Sequence, residues 1–183
     1  EPLVIQGIVL REHGGAFERV QVRGQVNLAH EPQVHNIELV PAQARACPEA
    51  LASIEEADWV VLGPGSWRTS VLPHLLLREQ CEALSTTNAK RCVVMNLALD
   101  DKESNGLDAS AHLKLLQQYA PNLRLDVVIA DPSNMGVQSE FEDAARELGA
   151  KVLWASVRST TNPNVHDPLK LASAYNDMFA MRL

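Results

Sequence analysis

From Pro48 onward, short apolar runs alternate with stretches of helical spacing, and this alternation constrains the fold more than any other feature of the 183-residue sequence. Trp59-Val60-Val61-Leu62, Arg91 to Leu97, Asp126 to Asp131 and Lys151 to Ala155 read as four buried strands. Helices are predicted between them. One runs from Pro48 to Ala57 with Leu51 and Ile54 on one face, another from about Ser70 to Leu84, and a third over residues 109–119 with Leu113, Leu115 and Leu116. A fourth opens at the capping box Ser139-Glu140-Phe141-Glu142 and ends at Gly149. The last starts at Asp167-Pro168, with Asp as N-cap and Pro in the first helical position. Apolar strands joined through helices imply right-handed crossovers and a parallel sheet, hence an α/β fold of three layers, Rossmann-like.

Residues 1–47 follow a different pattern. Val4 to Leu10, Glu18 to Val26 and Val34 to Val40 read as strands, the second by strict alternation, with a turn at His13-Gly14-Gly15 and a stop at Pro41. The expected organisation is a small β-rich section, 1–47, with antiparallel pairing, followed by an α/β portion, 48–183.

Composition narrows the function. Hydrophobic residues at 46% and charged residues at 21% exclude disorder as the main state. No apolar run approaches the ~18 residues that span a bilayer, so no membrane insertion is expected. Sixteen basic against 23 acidic residues, a net charge of −7, argue against a general nucleic-acid binder. Three widely spaced cysteines, Cys47, Cys81 and Cys92, fit reduced thiols in a cytoplasmic protein and match neither a disulfide framework nor a zinc pattern. The start, Glu1-Pro2-Leu3-Val4, lacks the charged and apolar regions of a signal peptide, and its lack of Met suggests a start inside a longer protein.

In parallel sheets ligands sit beyond the carboxyl ends of the strands. The segments to inspect are therefore Gly63 to Ser66, Asn96 to Asn105, Asp131 to Gly136 and Ser156 to His166. The first belongs to Gly63-Pro64-Gly65-Ser66-Trp67-Arg68-Thr69-Ser70-Val71-Leu72-Pro73, which passes from a strand into a helix within a few residues. Gly63 and Gly65 permit positive φ and close approach, Ser66, Thr69 and Ser70 carry hydroxyls, and a helix start offers unpaired N–H groups. That set suits a phosphate, and it equally suits a strand-to-helix turn capped by Ser66 or Ser70. Arg68 either pairs with the phosphate or sits exposed at the helix start. Asn96 reads a base or sugar, or caps a turn. His112 contacts a ligand or is a satisfied helix histidine, and His166 is a site residue or merely exposed. Asp131 is a site acid or caps its own Asp-Pro-Ser-Asn turn. Asp100-Asp101 either holds magnesium against a diphosphate or is simply solvated. Ser66 has no base at a recognisable spacing, so no nucleophilic triad is argued.

The long glycine segment resembles the Gly-Pro-Gly-Ser-x-x-Thr-Ser-x-x-Pro motif of the gluconeogenesis factor family, YvcK, within the CofD-like superfamily. Ala57-Asp58, Asn96-Leu97, Glu103 before Ala109-Ser110-Ala111-His112-Leu113, and His166-Asp167-Pro168 with Lys170-Leu171-Ala172 agree in order. The resemblance implies a UDP-sugar-binding protein that supports cell-envelope growth and shape on gluconeogenic carbon sources, without a settled catalytic activity. The residues expected to contact the ligand are Gly63, Pro64, Gly65, Ser66, Arg68, Thr69, Ser70 and Asn96, with Glu103, His112, Asp131 and His166 as further candidates. The related CofD branch, which transfers a phospholactyl-type group to a deazaflavin precursor, carries a Gly-Pro-Ser-Asn-type turn where this chain has Gly65-Ser66. Two departures stand out. The family's Met-Thr-Gln-Pro-Gly-Glu-Thr-Asp is replaced by Ala98 to Asn105, keeping Glu103 and, conservatively, Ser104. The family's N-terminal glycine-rich nucleotide loop has no counterpart, so the expected partners are the remainder of a longer chain, a nucleotide-sugar and, for an uncovered face, a second copy of the protein.

Overall fold

The computed structural model describes residues 3–31, 34–97, 108–134 and 136–183, without the side chains of His35 and Asn134. Its first sheet is antiparallel. Strand β1 (Val4–His13) turns through Gly14-Gly15, both at positive φ, into β2 (Ala16–Arg23), and β3 (Val34–Val40) pairs on the other side of β1. Leu10 faces Arg19 and Ile5 faces Leu39, with a register shift between Gln6 and Ile8.

The expected second strand, Glu18 to Val26, is too long by three residues. At Gly24 the backbone takes φ +90 and its N–H donates to Ile5 O at 2.8 Å, after which Gln25–His30 forms helix α1. The reason is burial: helical geometry drives Leu28 to 0% exposure while Val26, the residue that completed the alternation, is left 65% exposed. Tertiary packing overrides the strand preference of a β-branched residue.

The remainder runs α2 (Pro48–Glu56), β4 (Trp59–Leu62), a single π-type turn (Trp67–Val71), α3 (Pro73–Leu76), α4 (Arg78–Thr86) and β5 (Lys90–Val94). Then come α5 (Ala109–Tyr119), β6 (Val127–Ala130), a short 3-10 turn (Pro132–Asn134), α6 (Gln138–Glu147), β7 (Lys151–Trp154) and α7 (Pro168–Ala180). Strands β4-β5-β6-β7 lie side by side in chain order, every pair parallel. Successive residues of a strand point to opposite faces. Val93 and Val128 meet Leu84, Leu113, Leu116 and Phe141 from α4, α5 and α6, whereas Cys92, Val94, Val127 and Ile129 meet Ala174 and Met178 of α7. Helices therefore cover the sheet on both faces, giving the three layers expected. Phe141, Leu113 and Leu116 are 0% exposed, and each contributes about 1.5–3 kcal/mol by burial. The buried face of the first sheet (Ile5, Val9, Leu39) joins the same cluster as Trp67, Val71 and Leu72.

Two helix boundaries differ from expectation. The helix read from Ser70 to Leu84 is three pieces: the π-type turn, α3 begun by Pro73, and α4 after an extended Leu77 at φ −79, ψ 108. Pro73 lacks an N–H and suits a first helical position, so it starts a new segment rather than continuing one. The capping box also does not form. Helix α6 begins two residues earlier than Ser139 as N-cap requires, its N-cap Val137 has no side-chain bond, and Gln138 Nε2 donates instead to Glu142 Oε1 at 3.1 Å. At the other end Gly149, at φ +89, closes α6 as expected. Asp167 caps α7, its Oδ1 accepting from Leu169 N–H at 2.9 Å and Lys170 N–H at 3.1 Å. Among the described residues no helix is long and apolar enough to cross a membrane.

Candidate functional site

Beyond β4 the chain crosses the end of β5, and the crossing is tight. Gly63 has φ +78, and a Cβ there would lie 2.8 Å from Val94 O. Only glycine fits both the torsion and the contact. Two residues later the Gly65 peptide is held by Asn96, whose Nδ2 donates to Gly65 O at 2.9 Å while Oδ1 accepts from Gly65 N–H at 3.0 Å. Asn96 is thus a turn-holding residue with both ends of its amide engaged, and Gly65 and Asn96 together fix the relation between the ends of β4 and β5.

Ser66 caps the π-type turn. Its Oγ accepts from Thr69 N–H at 3.2 Å, and its carbonyl accepts from Ser70 N–H at 2.8 Å and Val71 N–H at 3.1 Å. The N–H groups of Gly65, Thr69 and Ser70 are thus used by protein acceptors. Those of Ser66 and Trp67 are the donors of the turn that no hydrogen bond among the described residues accounts for.

A shallow groove of about 490 Å³ lies against this turn. Pro64, Gly65, Ser66, Asn96 and Leu97 form one side, and Asn164, Val165 and His166, from the segment between β7 and α7, form the other. His166 is half-buried with Nε2 3.3 Å from Met95 O. Burial holds its ring below the ordinary histidine pKa, partly offset by the Met95 carbonyl and by the charge of Asp131.

The other candidates lie elsewhere. Arg68 is buried at 5% exposure, and its Nη1 donates to Glu31 O at 3.2 Å, tying the turn to the end of α1 rather than facing the groove. Thr69 and Ser70 do not line the groove. His112 is 4% exposed, its Nδ1 lies 2.8 Å from Asp108 O, and its ring packs 5.2 Å from that of Trp67 at 58°. It supports the turn from beneath. Asp131, 2% exposed at the end of β6, accepts from Ser133 N–H (3.1 Å), the Ser133 hydroxyl, Arg158 Nε (3.2 Å) and Val157 N–H (3.0 Å). Burial alone raises its pKa, and these donors outweigh burial to hold the carboxyl below its ordinary value. Glu103, Asp100 and Asp101 fall outside the described residues. Among the described residues there is no group of three or more His, Cys, Asp or Glu able to hold a metal ion.

Sequence reasoning missed Asn164 and Val165 as groove residues and Arg158 as the partner of Asp131. The segment from Ser156 to His166 was marked by its place after a strand, but no spacing singles out its members.

The chain matches the family described as 2-phospho-L-lactate transferase CofD over residues 10–159. It is 38% identical over 163 residues to a Mycobacterium tuberculosis protein named "Putative gluconeogenesis factor", covering 87% of this chain and 47% of that protein. A Mycobacterium leprae protein of the same name is 39% identical over 157 residues, with 84% and 44% covered. The chain thus spans about half the length of these curated relatives. In fold it resembles the crystal structure of a UPF0052 family member from Bacillus halodurans, with a TM-score of 0.73 at 23% identity over 94% of this chain and 57% of that one. A match that begins within β1 and ends beyond β7 takes in the glycine turn, Asn96 and Asp131 alike, and the chain belongs to the CofD family.

Proposed function

We propose that this chain is the ligand-holding part of a cytoplasmic nucleotide-sugar-binding regulator of cell-envelope growth on gluconeogenic carbon sources, with the groove beside Gly65 receiving the phosphates of a UDP-sugar. The observation that carries the reading is the Gly65–Asn96 pair. It holds a turn in which, among the described residues, the Ser66 and Trp67 N–H groups make no hydrogen bond, at the carboxyl edge of a parallel sheet, where anionic ligands of such sheets bind. The relatives named as gluconeogenesis factors support the gluconeogenic part of this reading. A binding role is supported by the groove's chemistry: among the described residues that line it, His166 is the one titratable side chain.

Calorimetry of the chain with UDP-glucose, UDP-N-acetylglucosamine and GDP-mannose tests this reading. The expected result is saturable binding of UDP-sugars, weakened at least ~10-fold by Gly65→Val. A β-branched residue resists the +155 φ of that position and crowds Ser70 Cβ, which lies 3.2 Å from an added Cβ. Affinity that is unchanged in a folded Gly65→Val protein reduces the turn to a structural feature. The second reading is a CofD-type transferase moving a phospholactyl or phosphoenolpyruvyl group to a deazaflavin precursor, and it is favoured by the description of the matching family. Product formed with such an acceptor would replace the first reading with the second.

A further inference from the structure

Asp131 stands outside the groove, yet one wall of the groove hangs from it. Its Oδ2 accepts from Val157 N–H and its Oδ1 from Arg158 Nε, at 3.0 and 3.2 Å. Val157 and Arg158 begin a hairpin that returns to α7. Asp167 N–H donates to Val157 O at 2.8 Å, Arg158 faces His166 as an antiparallel bridge, and Ser159 N–H donates to Val165 O at 2.8 Å. One leg is therefore fastened to Asp131, and the other carries Val165 and His166 to the groove. A second tether, Lys170 Nζ to Arg158 O at 2.9 Å, holds the same leg from α7.

The pairing is incomplete in an informative way. Arg158 Nη2 is buried with no partner among the described residues. A buried guanidinium donor left unpaired weakens the pair as a source of stability. What the pair does supply is a fixed position for the hairpin.

We propose that Asp131 is a positioning residue: through Val157 and Arg158 it holds the hairpin so that Asn164, Val165 and His166 face the Gly65–Asn96 pair across the groove. This rests on the groove being the ligand site.

The test uses the 183-residue chain and two variants. In Asp131→Asn the carboxamide has one oxygen where Val157 N–H and Arg158 Nε now use two, so one donor must face an NH2 group. Arg158→Met, at a more exposed position, removes the Arg158 half of the link and leaves Val157 N–H on Asp131, should Asp131→Asn fold poorly. Hydrogen exchange at Ser159 and Asp167 should rise at least ten-fold in each variant, and at Val157 in Asp131→Asn, while Val128 and Ile129 of β6 stay protected, and the His166 imidazole resonances should shift. UDP-glucose affinity should fall at least ten-fold in both. Unchanged exchange overturns the proposal. So does exchange that rises equally across β6, which marks Asp131 as a general fold residue. A loosened hairpin with unaltered UDP-glucose affinity also overturns it while leaving the groove as the binding site. If the parent chain binds no UDP-glucose, the reading of the groove as the site fails instead, and exchange with the His166 signature still decides whether Asp131 positions the hairpin.

Discussion

Asn96 and Gly65 exchange two hydrogen bonds, 2.9 Å from Nδ2 to the carbonyl and 3.0 Å from the peptide N–H to Oδ1. A side-chain amide here imitates a strand backbone, and it extends the β4–β5 pairing past the last ladder partners, Leu62 and Val93, into the turn. Asn96→Ala removes both bonds and leaves two polar groups of Gly65 to find water, at a cost of about 1–3 kcal/mol. Asn96→Asp keeps the acceptor but sets a carboxylate oxygen against Gly65 O, so it should be no better than alanine. Urea denaturation of the two variants checks this, and parental stability in Asn96→Asp would show that the donor half carries nothing.

Gly63 and Gly65 should respond differently to alanine. At Gly63 an added Cβ meets the backbone oxygen of Val94 at 2.8 Å with φ at +78. The torsion and the clash together cost about 2–4 kcal/mol. At Gly65 the φ of +155 also strains an alanine, but the neighbour is Ser70 Cβ at 3.2 Å, a contact that a small shift of the turn relieves, whereas the Val94 carbonyl cannot give way. Urea midpoints should therefore fall further for Gly63→Ala, and the reverse order would contradict the close crossing of β4 and β5.

Stability should fall on acidification in two steps. His166 has a folded pKa below its ordinary 6.5, first through burial, so the unfolded chain binds the extra proton. The stability this contributes is present above pH 6.5 and is lost as the pH drops through the folded value. Asp131 is also held below its ordinary 3.8, because its hydrogen bonds outweigh burial, and its contribution is present above that pH and lost beneath it. Glu49, Glu79 and Glu142, held low mainly by hydrogen bonds from Cys47, Ala46 and Trp154, share the lower window. Denaturation midpoints from pH 8 to pH 3 should show the upper step vanish in His166→Gln and the lower one shrink, without vanishing, in Asp131→Asn.

The cysteines should separate by reactivity. Cys92 is 0% exposed on the α7 face of the sheet, and burial pushes its thiol up to about 12. Cys47 is exposed and donates to Glu49 Oε2 at 2.8 Å. At pH 8 a disulfide reagent should label Cys47 within minutes and Cys92 only as the protein unfolds. Peptide mapping that finds both labelled at one rate would contradict the packing of α7.

What the sequence made legible was whatever depends on period and local chemistry. Val127 to Ala130 and the three other apolar runs became parallel strands in order, Asp167-Pro168 became a capped helix start, and Gly149 its counterpart at a helix end. What it hid depends on long-range partners. Val26 fitted a strand until Leu28 was buried, and Ser139 fitted a cap that Gln138 and Glu142 made needless. In the site, Gly63, Gly65 and Ser66 were visible as a turn, but Arg68 and His112 carry no local mark that they point inward. Their partners, Glu31 and Trp67, are 37 and 45 residues away in the chain.

The groove also predicts how this chain compares with its longer relatives. Among the described residues it is a shallow groove lined by Pro64 to Ser66, Asn96 and Leu97 and by Asn164 to His166. A nucleotide-sugar normally has most of its surface buried when bound, and a net charge of −7 supplies no long-range attraction for an anion. The Mycobacterium tuberculosis relative is about twice as long as the aligned region. UDP-glucose should accordingly bind the 183-residue chain at least ~10-fold more weakly than that relative, which corresponds to ~1.4 kcal/mol of missing contacts. Side-by-side titration decides it: equal dissociation constants would mean that the described groove already holds the whole ligand, and that the further length of the relatives serves some other purpose.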